Sequence, residues 1–107
     1  MNILAAERKG DVLGYSYSEL EGPDYMSLRG PAGVVHDIVV DPAERRNGVG
    51  RKLLEATLEA LAARGAPQVV LWTAALNEAA QRLFDSVGFR PTMVEMTRAI
   101  PPERLTP

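Results

Sequence analysis

Hydrophobic and polar positions along this chain change period several times, and each change marks an element. Asn2 to Glu7 is a short run that predicts an edge strand. Lys9-Gly10-Asp11 has turn chemistry, because a glycine between polar residues favours a tight reversal. From Val12 to Leu20 the pattern has a period of two, with Leu13, Tyr15 and Tyr17 alternating against Gly14, Ser16 and Ser18. The first twenty residues therefore predict a hairpin. Glu21 to Gly33 carries two prolines and three glycines and reads as a loop. Val34 to Val40 is apolar on both faces except at His36 and Asp37, the pattern of a strand central in a sheet, and Pro42 ends it.

The period then lengthens. A helix is expected from near Gly48, with Leu53, Leu54, Leu58 and Leu61 as its core stripe. Gly65 and Pro67 stop it, glycine by taking the left-handed cap and proline by forbidding continuation. Gln68 to Ala75 reads as a second apolar strand, so strand, helix and strand predict a right-handed crossover between parallel neighbours. Asn77 is placed to cap a shorter helix with Ala80, Leu83, Phe84 and Val87 on one face. Gly88 ends it, and Phe89 folds back on Phe84. Thr92 to Ile100 alternates loosely as a last strand. The expected class is α/β (α+β): a mixed sheet of about five strands with two helices. Residues 1–100 form one domain in this reading, and the proline-rich 101–107 is a frayed tail.

Composition narrows the function classes. At 107 residues, 46% hydrophobic and 24% charged, the chain suits one soluble domain with a modest core. Twelve basic against fourteen acidic residues leave a formal charge of −2, so no basic field argues for nucleic acid as a partner. With no cysteine there is no disulfide framework, thiolate nucleophile or thiolate metal site, and no metal is expected. Neither a signal-peptide run nor a membrane-spanning stretch is present, which makes the cytoplasm the expected location.

Candidate chemistry concentrates where the central strand turns into the long helix, at Arg45-Arg46-Asn47-Gly48-Val49-Gly50-Arg51. Glycines let a ligand approach the backbone closely, and a helix start presents unpaired N–H groups carrying about half a positive charge. Arg45, Arg46 and Arg51 add mobile positive charge, so the turn suits a pyrophosphate. The lysine-serine pair of a P-loop is missing, and the glycine spacing is not that of a dinucleotide fingerprint. Taken alone, such a turn is equally well a solvated basic loop.

The motif Arg45-x-x-Gly48-x-Gly50, preceded by Val40-Asp41-Pro42, resembles the acyl-CoA pyrophosphate loop of the GNAT superfamily of N-acetyltransferases. About thirty residues later, Asn77-x-x-Ala80-x-x-Leu83-Phe84-x-x-x-Gly88-Phe89 is similar to that superfamily's second hallmark. The two motifs and the elements between them cover Val34 to Phe89. The resemblance implies a GNAT-like fold, acetyl-CoA as co-substrate and a primary amine as acceptor. It implies that backbone groups of Ile38, Val39 and Val40 pair with the pantetheine arm like an added strand. It further implies that N–H groups from Arg46 to Arg51, with Asn47 and Val49 among them, hold the pyrophosphate. Asn77 and Phe84 would meet the cofactor from the other side, although Asn77 is also a good helix cap and Phe84 a good core residue.

Two departures bear on catalysis. Many members of the superfamily carry a tyrosine where this chain has Phe84, and several place a catalytic glutamate near Trp72. The usual proton handlers are thus missing from both places. His36 is the remaining candidate general base, since imidazole is suited to taking a proton from an ammonium. Strand alternation places it on the side of Ile38 and Val40. A hydrogen-bonded core histidine is the competing reading. Asp37, Tyr15, Tyr17 and Glu19 are weaker candidates. Compared with the superfamily, the chain lacks the front helices that wall the acceptor site, which leads us to expect a homodimer whose second copy completes that wall. A non-catalytic acyl-CoA sensor is the alternative function.

Overall fold

The computed structural model describes residues 2–104, and within them the element order is β1 (Asn2–Arg8), β2 (Asp11–Glu21), β3 (Ala32–Val40), α1 (Val49–Ala63), β4 (Val69–Val70) and α2 (Glu78–Ser86). Single 3-10 turns form at Pro42–Glu44 and Pro102–Arg104. The strands make one four-stranded sheet in the order β1-β2-β3-β4. β1, β2 and β3 are antiparallel neighbours, and β3 pairs with β4 in parallel, so the sheet is mixed as expected. None of the described helices is long and apolar enough to cross a membrane.

The hairpin turns through Lys9 and Gly10, both with positive φ, the geometry that matches the twist of a two-residue β-turn. β2 inverts the usual sense of an amphipathic strand. Its buried face is the small one: Gly14, Ser16 and Ser18 are buried, while Tyr15 is exposed. Against that face lies α1, whose Leu53, Leu54 and Leu61 are buried and whose Leu58 is partly so. Small residues let the helix come close. The resulting contact includes a buried hydroxyl pair, Ser16 Oγ to Thr57 Oγ1 at 2.6 Å, and Thr57 also donates to the Leu53 carbonyl at 2.8 Å. Both hydroxyls are thereby satisfied, which removes the desolvation penalty of burying them. Fully burying Leu54 and Leu61 contributes roughly 1.5–3 kcal/mol each.

Both helices end as their glycines predict. Gly65 (φ +92) and Gly88 (φ +97) adopt the left-handed conformation. The N–H of the following residue returns to the helix, Ala66 to the Leu61 carbonyl at 3.1 Å and Phe89 to the Phe84 carbonyl at 3.0 Å. The Phe84 and Phe89 rings meet edge to face with centroids 6.0 Å apart. Asn77 caps α2, its side chain accepting from the Ala80 N–H at 3.1 Å.

Two expectations need correction. The strand expected over Gln68 to Ala75 pairs only at Val69 and Val70, opposite Gly33 and Val34. Beyond Val70 the chain turns toward α2: the Ala74 carbonyl accepts from the Asn77 N–H, and the Ala74 and Ala75 carbonyls accept from the Gln81 side chain. The strand expected over Thr92 to Ile100 does not form, and the segment is exposed throughout, so the sheet has four strands rather than five. Alternation alone does not make a strand; it needs a neighbouring edge of comparable length, and β4 offers two residues. This unpaired segment stretches the molecule to 62 × 34 × 23 Å, with a radius of gyration of 16.9 Å against about 13 Å for a compact chain of this length. In the tail expected to fray, 105–107 lie outside the described residues, as does Met1.

Candidate functional site

Because β4 leaves β3 after Val70, the edge of β3 from Val35 to Val40 has no partner strand on that side. A notch of about 310 Å³ opens there. Val35, His36, Asp37 and Ile38 line one wall, Leu71 to Ala74 the other, and Asn77, Ala80 and Phe84 of α2 and its cap close the end. Trp72 is exposed at this wall, while Phe84 is buried. Unpaired backbone groups along an edge can accept an extended ligand as though it were another strand. Ile38 and Val40 hold their register with Ser16 and Gly14 on the opposite edge, which fixes the strand without using its free side.

At the end of β3 the chain makes the 3-10 turn at Pro42–Glu44, with the Asp41 side chain accepting from the Ala43 N–H at 2.9 Å. Arg46 (φ +72) and Gly48 (φ +79) then bend the backbone through the left-handed region into α1. Gly48 is the N-cap of α1 and supplies no side-chain acceptor. Among the described residues, the N–H groups of Arg46, Gly48, Val49, Gly50 and Arg51 meet no protein acceptor. Gly50 sits close to its surroundings: a Cβ there would lie 3.5 Å from both Leu83 Cδ2 and Val40 Cγ2. The turn is therefore a cluster of unsatisfied donors at the positive end of a fifteen-residue helix, the physical requirement for an anion seat.

Side chains around the turn divide their work. Arg45 and Arg46 are exposed and make no ion pair among the described residues, so their charge is available to an anion. Arg51 is engaged, with Glu55 at 2.9 Å and with Ser86 at 3.4 Å, and it ties α1 to α2. Asn47 is engaged as well: its N–H donates to the Glu44 carbonyl, and its amide donates to the Glu44 carboxylate. Glu44 in turn pairs with Arg8 at 3.1 Å.

His36 lies on the side of the sheet opposite to the one alternation predicts. Tyr17 pairs with Asp37 but Ser18 pairs with Val35, so His36 is an extra residue in β3, a β-bulge. The bulge displaces His36 from the Ile38 face and brings its ring over Tyr17, with centroids 5.0 Å apart. His36 Nε2 lies 3.2 Å from a Glu21 carboxylate oxygen and 3.6 Å from one of Glu19. Glu19 also accepts from the Tyr17 hydroxyl at 2.6 Å. This hydrogen bond, with the attraction of His36 added, holds the Glu19 carboxyl below the usual range, and it raises the Tyr17 phenol. Glu21 is a member of this group that sequence reasoning missed; its position two residues beyond Glu19 on the same strand face was the available signal.

Comparison with known proteins agrees with the elements just described. The model of the acetyltransferase (GNAT) family matches residues 1–89. A mycothiol acetyltransferase of Thermobispora bispora is 40% identical over 98 residues, covering 88% of this chain and 32% of the relative. A second, from Streptosporangium roseum, is 40% identical over 78 residues, covering 73% of this chain and 23% of the relative. The chain thus spans about a third or less of these curated relatives. Among solved structures, the aminoglycoside N-acetyltransferase AAC(6')-Iy in complex with CoA superposes with a TM-score of 0.80 at 19% identity, over 92% of this chain and 75% of that one. An acetyltransferase-like protein from Pyrococcus furiosus gives 0.80 at 22% identity, over 92% and 64%. These two likenesses are of fold.

Proposed function

Because the chain belongs to the GNAT family of acetyltransferases, we propose that it transfers acetyl from acetyl-CoA to a primary amine by direct attack, with no covalent enzyme intermediate. The observation that carries this reading is the alignment of two unpaired backbone surfaces. The free edge of β3 runs into the uncapped start of α1, so an extended pantetheine along Ile38, Val39 and Val40 leads its pyrophosphate to the free N–H groups of Arg46 and of Gly48 to Arg51, the Asn47 N–H being already bonded to the Glu44 carbonyl. Arg45 and Arg46 add charge, and the Asn77 amide nitrogen is left for the cofactor once its oxygen has capped α2. The thioester then lies in the notch beside His36, between the two strands where they part.

In this reading His36 accepts a proton from the attacking amine as the N–C bond forms and the C–S bond breaks. The electron pair of the C–S bond leaves on sulfur, which is protonated to the free thiol. A mycothiol acetyltransferase and an aminoglycoside acetyltransferase among the relatives and neighbours make amine-bearing small molecules the first acceptors to try. A second copy of the chain completes the acceptor wall, and light scattering that finds only monomer at micromolar concentration would remove that part.

Acetyl-CoA at a hundredfold excess over its Kd is expected to stabilise the fold by about 2.7 kcal/mol. An unchanged melting temperature at millimolar acetyl-CoA overturns the cofactor reading. Release of free thiol in the presence of an amine panel then separates the enzyme from the alternative, a non-catalytic acyl-CoA sensor. Phe84 and the exposed Trp72 favour that alternative, since neither side chain handles a proton.

A further inference from the structure

We propose that Glu19, Glu21 and His36 hold a divalent transition-metal ion of the zinc class near the C-terminal end of β2. The inference goes beyond acetyl transfer and stands whether or not His36 is the base.

The spacing of the three groups is that of ligands to one ion. His36 Nε2 lies 3.2 Å from Glu21 Oε2 and 3.6 Å from Glu19 Oε2, and each group brings one ligand atom within 4.8 Å of the others. These are ion-pair separations, with no hydrogen bond needed between ring and carboxylates. Donors bound to a tetrahedral zinc at about 2.0–2.2 Å stand about 3.3–3.6 Å from one another. The side chains of Glu19 and Glu21 are more than a third exposed, which gives an ion entry and gives the carboxylates room to close on it. Three protein ligands leave the fourth position of the ion open.

The donor set selects the metal. One imidazole nitrogen with two carboxylate oxygens suits zinc and its transition-metal neighbours, whereas magnesium and calcium take oxygen alone. The expectation of no metal rested on the missing thiolates, and this set needs none. Charge agrees: Glu19, Glu21 and Asp24 are offset by one guanidinium, that of Arg29, which leaves a surplus equal to one divalent cation.

Both carboxylates have the outer contacts that orient metal ligands. The Tyr17 hydroxyl donates to Glu19 Oε1 at 2.6 Å, and the Arg29 guanidinium, nine-tenths buried, lies 3.7 Å from Glu21 Oε1, so each Oε2 is left for the ion. Arg29 supplies a separate sign of an absent ligand. Its Nε is buried and meets no acceptor among the described residues. A water or small anion in the open position of the ion is the acceptor that this donor lacks. The bulge in β3 brings His36 to the two glutamates of β2, so the ion would tie the two strands together.

Zinc added to the 107-residue chain in a non-coordinating buffer is expected to bind by calorimetry at one ion per chain and to raise the melting temperature. Millimolar magnesium should do neither. His36 is the sole histidine, so nitrogen NMR of the unsubstituted protein at fixed pH reads its ligation directly, and the Nε2 signal is expected to move on zinc addition. Tyr17→Phe, which keeps the ring stacked on His36, should raise the zinc Kd about tenfold, and Glu21→Gln should raise it further. Four results overturn the site: no zinc binding, zinc binding with the His36 nitrogens unmoved, magnesium binding as tightly as zinc, or an unchanged Kd in a Glu21→Gln variant that still melts cooperatively. None of these bears on acetyl transfer. An unchanged pH–rate profile in His36→Gln would remove His36 as base and leave the metal site in place.

Discussion

Single residues carry two consequences beyond the site itself. Gly14 faces the Val39 carbonyl so closely that an added Cβ would lie 2.5 Å from the oxygen, and backbone has nowhere to give. Gly14→Ala is therefore expected to lower stability by about 1–3 kcal/mol in urea unfolding. It should also weaken the thermal shift given by acetyl-CoA, because the strand it displaces is the one proposed to guide the pantetheine. The second consequence concerns acid. Glu19 has its folded pKa below the ordinary value of 4.5, chiefly through the Tyr17 hydroxyl. Its contribution is present above that value and lost as pH falls through the lower folded pKa. Tyr17→Phe removes the main cause, so the drop in melting temperature between pH 6 and pH 3 is expected to be smaller in that variant; an equal drop refutes it. The sequence named His36, Tyr17 and Glu19 singly, but not their meeting. One extra residue in a ladder leaves no trace in the hydrophobic pattern, yet it reverses which face a side chain occupies.

At the scale of elements, the legible features were those encoded locally. Positive φ at Gly65 and Gly88, the Asn77 cap and the leucine stripe of α1 all follow from residues within one or two turns of where they act. Asn77→Ala is expected to cost about 1 kcal/mol in chemical denaturation through the lost bond to the Ala80 N–H. Gly48→Ala tests the turn: at φ +79 an alanine is strained by about 1–2 kcal/mol, although nothing lies within 4 Å of its Cβ. The expected result is a rise in the Kd for acetyl-CoA that exceeds any change in the amine KM. What the sequence could not show was where a strand stops for want of a partner. Gln68 to Ala75 has the composition of a full strand, but its length was decided by the parting of β4 from β3 and by the Gln81 side chain taking the Ala74 and Ala75 carbonyls.

For the molecule as a whole, the segment after Phe89 sets the shape. Residues 90–100 are exposed, and they make no regular structure. Arg98 lies in this segment and is followed by Ala99, whereas Arg90 is protected by Pro91, so trypsin is expected to cut after Arg98 before it cuts within α1 or α2. Cleavage that starts at Arg51 or Arg82 instead would contradict it, and protection that grows with protein concentration would locate a second copy on the segment. The parted strands have a different kind of consequence. A surface built from main-chain donors and acceptors is present whatever side chains the neighbouring codons specify, whereas the Tyr17, Glu19, Glu21 and His36 group exists only while those four identities persist. In the reading proposed, substitutions along β3 that keep its fold should thus leave the thioester donor recognised, and substitutions of the outer-face group on β2 should act on turnover. In that reading donor recognition is shielded from genetic drift, and turnover is exposed to it.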